Sequence, residues 1–377
     1  MARLTRAQQQ EQTRAAVLVA ARREFAEHGY AEAKVDRIAE RAELTRGAVY
    51  SNFTGKRALY LAVLLDTAER ARAAAEPPPE PPATAGRALG AFARVWLERL
   101  PLAVDTPSSG HLQLRSLSGV VDTEPARAAL AELVRFEALL LARALEPHAA
   151  LRTGAVRRAE LVLTLLQGAA SLAEGAPGVG DPFALVRAAE HLADVPLLDE
   201  DADPPHLPFV APARPARDPW TAPRGLRDEI TGRRADLDGD GVVVVLGVRR
   251  LSAAEEAMRA ARPGDALTFV VVTGDPAETG RLARLRTVDL IACLRRVFAP
   301  GDLPRFRLVF DDDGAVAAAA GRNPADDFTE LAVRTRDGLI VARADGRGAG
   351  HAVTDHRARD GDRRRGGTSP GRPTGEG

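Results

Sequence analysis

The chain is short of cysteine, lysine and aromatic side chains. Among 377 residues there is one cysteine, Cys293, and aromatics make up 4%. A single thiol excludes an intramolecular disulfide and a thiolate metal cluster. Net charge is also missing, because 52 basic and 52 acidic residues cancel. No global field therefore draws the molecule onto nucleic acid. Lys34 and Lys56 are the only lysines, and every other basic residue is arginine. Beside so much Ala, Gly and Pro, that arginine richness reads as coding bias and says little about DNA. No run approaches the roughly 18 apolar residues of a membrane span. The first residues, ARLTRAQQQEQTR, lack an apolar signal core. A cytoplasmic protein is expected, with no membrane partner, cofactor or metal.

What is present is length and pattern. The chain is too long for one ordinary core, so two or three domains are expected. The most informative stretch runs from Thr13 to Leu65. Ala16, Val17, Ala20, Ala21 and Phe25 recur three and four apart, the buried stripe of a helix that Gly29 ends. Val35, Ile38, Ala39 and Ala42 fit a second helix of about two turns. Thr45 can cap a third by accepting from the free N–H groups of its first turn. That helix carries Ala48, Val49 and Phe53 inward and Arg46, Tyr50 and Asn52 outward. Two short helices joined by a tight turn, with a longer one behind them, make a helix-turn-helix unit. From Met1 to Tyr60 there are eleven basic and seven acidic residues. That local excess suits phosphate contact. Residues 1–12 read as a frayed polar arm.

Four runs carry a resemblance: F-A-E-H-G-Y (Phe25 to Tyr30), V-D-R-I-A-E (Val35 to Glu40), L-T-R-G-A-V-Y-S-N-F (Leu44 to Phe53) and G-K-R-A-L-Y (Gly55 to Tyr60). In order and spacing they resemble the DNA-binding domain of the TetR family of transcriptional repressors. The resemblance implies that Thr45, Arg46, Gly47, Tyr50 and Asn52 face the major groove. Arg46 would read a guanine edge, Tyr50 and Lys56 would fix phosphates, and Gly47 would let the backbone approach. Two positions depart from the family pattern. Lys34 stands where Ser or Thr commonly caps the second helix. Lysine cannot cap by accepting, but it reaches phosphate as a point charge. Glu43 stands where the turn usually carries Gly, and a positive φ there costs roughly 1 kcal/mol.

The fourth helix is expected from about Arg57 to Ala75, ended by the stiff PPPEPP connector, Pro77 to Pro82. The helical pattern resumes at Ala83 in five segments. They include HLQLRSLSGVV, a long helix with Thr123 as cap and Pro125 in its first turn, and a last one capped by Asp181. This order resembles the ligand-binding and dimerisation domain of the same family. Phe92, Trp96, His111, Gln113, Leu117 and Phe136 are candidates to line an effector pocket, although each also reads as plain core. By the same resemblance, the last two helices pair with those of a second copy. Their broad apolar faces hold Leu161, Leu165, Ala169 and Leu172, then Phe183, Val186 and Leu192. The other reading is that these faces only build the monomer core.

Residues 199–224 read as a Pro-rich linker in which Trp220 docks onto a neighbour. The period then changes. VVVVLGV and ALTFVVVTGD are buried strands around a helix that Ser252 caps, and a helix from about Pro276 to Phe298 follows. FRLVFDDDG comes next, and two final strands meet at an Asp337-Gly338 hairpin turn. This stretch, residues 225–350, resembles the thioredoxin-like superfamily, nearest the peroxiredoxin-type branch. The resemblance rests on the strand-helix-strand opening, the D-D-D-G-A-V-A-A-A-A-G run and the closing R-D-G-L-I-V hairpin. Redox members carry a cysteine at the N-terminus of the helix after the first strand. Here that region reads Gly247-Val248-Arg249-Arg250-Leu251-Ser252, while Cys293 lies mid-helix beside Ile291 and Leu294. A redox-dead domain and a buried thiol are expected. Asp236, Asp238 and Asp240 mimic a calcium loop, but its twelfth position is Gly247 rather than Glu, so an acidic turn is the better reading. Residues 351–377 are expected to be a disordered tail.

The sequence thus describes a multidomain chain. A helix-turn-helix domain (1–58) and an all-helical domain (59–198) make an all-α, TetR-like part. A linker and a small α/β thioredoxin-like domain follow. The function expected is a ligand-responsive repressor that binds a palindromic DNA operator as a homodimer, with an unidentified small-molecule effector and no enzymatic role. The alternative is a thiol-dependent redox sensor or enzyme working through the C-terminal domain.

Overall fold

A computed structural model describes residues 5–98, 117, 119–148, 154–176, 180–197 and 204–356. The first helix, α1, spans Arg6–Glu32. Thr5 and Gln8 form a reciprocal capping box at its start, so residues 6–12 are helical rather than a frayed arm. Gly29, at φ 67° and ψ 178°, is non-helical and kinks α1, so the first helical run ends there as expected and a short turn follows it. Helices α2 (Val35–Arg41) and α3 (Arg46–Asn52) follow, and α4 (Lys56–Ala73) leads away from them. Phe25, Tyr30 and Tyr60 join these elements, the Phe25 and Tyr60 rings meeting edge-on with centroids 4.9 Å apart.

The helical part continues through α5 (Ala85–Leu97), α6 (Glu124–Leu145), α7 (Ala155–Gly175) and α8 (Pro182–Leu192). Thr84, Thr123 and Asp181 cap α5, α6 and α8 through their side-chain oxygens. The pairs α5–α8 and α6–α7 pack together. Gly90 admits the Glu190 side chain, which a Cβ would strike. The helix expected at HLQLRSLSGVV falls mostly outside the described residues, and Gly119–Val121 form a turn.

The C-terminal part is a mixed six-stranded sheet of order β1-β6-β5-β2-β3-β4. Its strands are β1 (Arg214–Pro219), β2 (Gly241–Gly247), β3 (Leu267–Val272), β4 (Arg307–Phe310), β5 (Glu330–Arg336) and β6 (Leu339–Asp345). Strands β2, β3 and β4 are parallel, while β5 and β6 form an antiparallel hairpin beside β2. Asp337 and Gly338 both take positive φ in its turn. Helices α9 (Ala253–Ala260), α10 (Arg281–Arg295), α11 (Ala315–Ala319) and α12 (Ala349–Asp355) complete the unit. Among the described residues no helix is long and apolar enough to cross a membrane.

Three expectations need correction here. The stretch read as linker supplies β1, which pairs antiparallel with β6. Pro215 and Pro219 are tolerated because β1 is an edge strand whose outer side needs no N–H donors. Trp220 docks as expected, its Nε1 donating to Leu237 O at 2.7 Å. Ser252 does not cap α9 with its side chain. The start of the expected tail belongs to α12, whereas residues 357–377 lie outside the described part.

The two parts share one core. One face of the sheet, with Val242, Val244, Leu246 and Phe269, is continuous with the apolar interior of the helical part. Helix α10 lies between them and packs on α4 and α6. The other face packs around Trp220, Val245, Val270 and Val316.

Candidate nucleic-acid interface

The reading surface is built on α3. Its start is fixed by Thr45, whose Oγ1 accepts from the Ala48 N–H at 3.2 Å. Val49 and Phe53 are buried and anchor the helix, which leaves Thr45, Arg46, Gly47 and Tyr50 exposed on its other side. The Arg46 guanidinium lies over the Tyr50 ring, 5.5 Å from its centroid, and 3.2 Å from Asp36. Asn52 is half-buried and its amide donates back to Ala48 O at 2.9 Å. Asn52, of the predicted groove-facing set, therefore spends its amide donor inside its own helix.

Lys34 and Lys56 sit differently. Lys34 is exposed at the start of α2 and makes no side-chain cap. Lys56 is half-buried, donates to Ala31 O at 2.8 Å and stands 5.0 Å from the Tyr30 ring centroid. Burial holds its pKa below the ordinary lysine value.

The missing cap on α2 is replaced from outside the helix. Glu24, fully buried on α1, accepts from the Lys34 N–H at 3.1 Å and from Arg37 Nε at 2.6 Å. Its other oxygen lies 3.5 Å from Arg41 Nε. One carboxylate thus caps α2 and neutralises two of its arginines. Sequence reasoning missed Glu24. Its signal was an acid on the same helical face as Val17, Ala21 and Phe25. Glu24, Glu27 and His28 present ligand atoms within 4.8 Å of one another. Arg37 and Arg41 already engage the two carboxylates. Glu43 has φ 57°, as the expected turn requires.

Behind the reading head, the candidate effector residues Phe92, Trp96 and Phe136 are buried in the continuous core, with Leu117 packed against it. Phe136 meets Phe269 of the sheet edge-on, centroids 6.4 Å apart. His111 and Gln113 lie outside the described residues. In the candidate dimer set, Leu161, Leu172 and Phe183 are exposed and Leu165 and Leu192 half-buried. Ala169 and Val186 are buried within the monomer. A cleft of about 610 Å³ lies elsewhere, between Leu207–Pro215 and α12, where His351 and Asp355 line it.

The arrangement is an exposed polar helix, capped at its start and presented by a small packed head, which is the geometry of a major-groove reader. Residues 17–63 match the family model described as bacterial regulatory proteins, tetR family. The head is therefore of the tetR class, and the match supports a DNA-binding regulator. Among solved structures, the chain is similar to a TetR transcriptional regulator from Rhodococcus sp. RHA1, at 20% identity over 50% of this chain and 98% of that one, with a TM-score of 0.33. A second transcriptional regulator from Rhodococcus sp. Rha1 has 25% identity over 49% and 94% of the two chains, with a TM-score of 0.34. The fatty acid degradation regulator FadR from Bacillus halodurans has 17% identity over 48% and 93%, with a TM-score of 0.31. No curated protein matches the chain.

Proposed function

We propose that the protein is a cytoplasmic transcriptional repressor, without enzymatic activity, that binds a palindromic operator as a homodimer and releases it in response to a small-molecule effector. The observation that carries this reading is the exposed Thr45–Tyr50 face of α3 on a head of the tetR class. The exposed Leu161, Leu172 and Phe183 of α7 and α8 favour a second copy on that side. Two copies would place two reading helices about one helical turn of DNA apart. The effector would act within the helical part, close to Phe92, Trp96 and Leu117.

The C-terminal unit is read as a redox-inactive thioredoxin-like domain. Its parallel β2-α9-β3 unit, the antiparallel β5-β6 hairpin and the terminal α12 favour that reading. Cys293 is fully buried in α10, and the start of α9 carries Ser252.

The test is binding of the purified full-length protein to DNA from its own upstream region during a salt titration. Selective binding is expected. Arg46→Ala should relax base preference. Lys56→Ala should weaken all sequences alike and lower the salt slope by about one. Equal affinity for unrelated DNA would remove the repressor reading.

A further inference from the structure

Helix α4 carries the reading head, and the C-terminal unit grips it at both ends. At its start, Arg57 Nη1 lies 3.3 Å from Glu278 Oε2, and Arg281 Nη1 donates to Ala58 O at 3.1 Å. Arg281 also lies 5.6 Å from the ring centroid of Phe53, the residue that ends α3. At the far end, Arg72 Nη1 meets Glu229 Oε2 at 2.5 Å, with both side chains buried. Helix α10 packs along the length between.

A second set of contacts fixes the same unit to α6. Arg286 makes two hydrogen bonds to Glu137, at 2.8 and 2.6 Å. Arg249 lies 3.3 Å from Glu124. The Ser252 N–H at the start of α9 donates to Glu132 Oε2 at 2.9 Å. The signs are opposed on the two helices: α4 offers arginines to Glu278 and Glu229, while α6 offers carboxylates to Arg249, Arg286 and the α9 terminus. Such alternation admits one docking register and penalises the others.

We propose that the C-terminal unit is an internal clamp on α4, which holds the reading head in one orientation and so preorganises it for DNA. The proposal rests on the repressor reading. A head held in place loses less freedom on binding, so loosening the clamp weakens DNA affinity without changing base preference. Any ligand or partner that binds the undocked unit better would then switch the head through α4.

The experiment uses the full-length chain with Glu278→Gln and Arg281→Met together, and separately with Glu229→Gln at the far end. Thermal melting reports folding, and the second variant serves if the first does not fold. Hydrogen exchange of residues 53–64 and affinity for upstream DNA at fixed salt are then read. Faster exchange in that segment, with affinity lowered by about five-fold or more, supports the clamp. Unchanged exchange overturns it, and this arm decides even if the wild-type protein shows no selective DNA binding and the repressor reading falls. Faster exchange with affinity unchanged or increased overturns the preorganising role.

Discussion

Arg72 of α4 and Glu229 of the C-terminal unit form a buried ion pair, Nη1 to Oε2 at 2.5 Å, across 157 residues of sequence. Arg72 also donates to the Glu229 carbonyl at 3.2 Å. Breaking such a pair on one side leaves an uncompensated buried charge. Glu229→Ala should therefore cost about 3–5 kcal/mol in urea unfolding, whereas Arg72→Met combined with Glu229→Leu should lose far less. A small loss for the single variant would mean that water reaches Arg72.

Glu43 holds a left-handed turn that glycine adopts freely. Glu43→Gly should raise stability by about 1 kcal/mol, read as a shift in urea midpoint with an unchanged slope. Operator affinity should stay the same or rise.

Glu69 lies near Glu229 and Arg72, and its carboxyl pKa is raised, first by burial and then by the charge of Glu229. The folded state therefore holds this proton more tightly than the unfolded chain does. The ionised group is a cost at neutral pH. That cost is relieved as pH falls through the raised folded-state value, and it is gone below the ordinary glutamate range. Glu69→Gln should melt higher than wild type near pH 7, with the difference closing as the solution is acidified. A gap that widened on acidification would reverse the assignment.

Phe183 is exposed at the start of α8, and Leu172 is exposed on α7. If these faces meet a second copy, Phe183→Glu with Leu172→Glu should yield a monomer by sedimentation while helical content is retained. Selective DNA binding should fall with it, since one head contacts a single half-site. A dimer that survived both changes would move the interface elsewhere.

The reading head was legible because its determinants are local. The Thr45 cap closes over three residues and the apolar stripes repeat at helical spacing; in the C-terminal hairpin the Asp337-Gly338 turn announces its own backbone in the same way. Glu24 was harder to see, because its partners Lys34 and Arg37 lie ten and thirteen residues away. Helix identity showed in the sequence, but the partner that each helix caps or neutralises did not.

By itself, the sequence determined the helix-turn-helix, the capped helices of the middle part, the buried parallel strands and the isolation of Cys293 from any second thiol. These follow from periodicity, caps and turn chemistry, which act within a few residues. Only the tertiary structure decided that part of the Pro-rich linker is the edge strand β1. It also decided that the α9 terminus is satisfied by Glu132, 120 residues away, and that α10 lies on α4. Edge pairing and interdomain ion pairs depend on which surfaces meet. An arginine or a carboxylate has the same local pattern whether it faces water or a partner across the core.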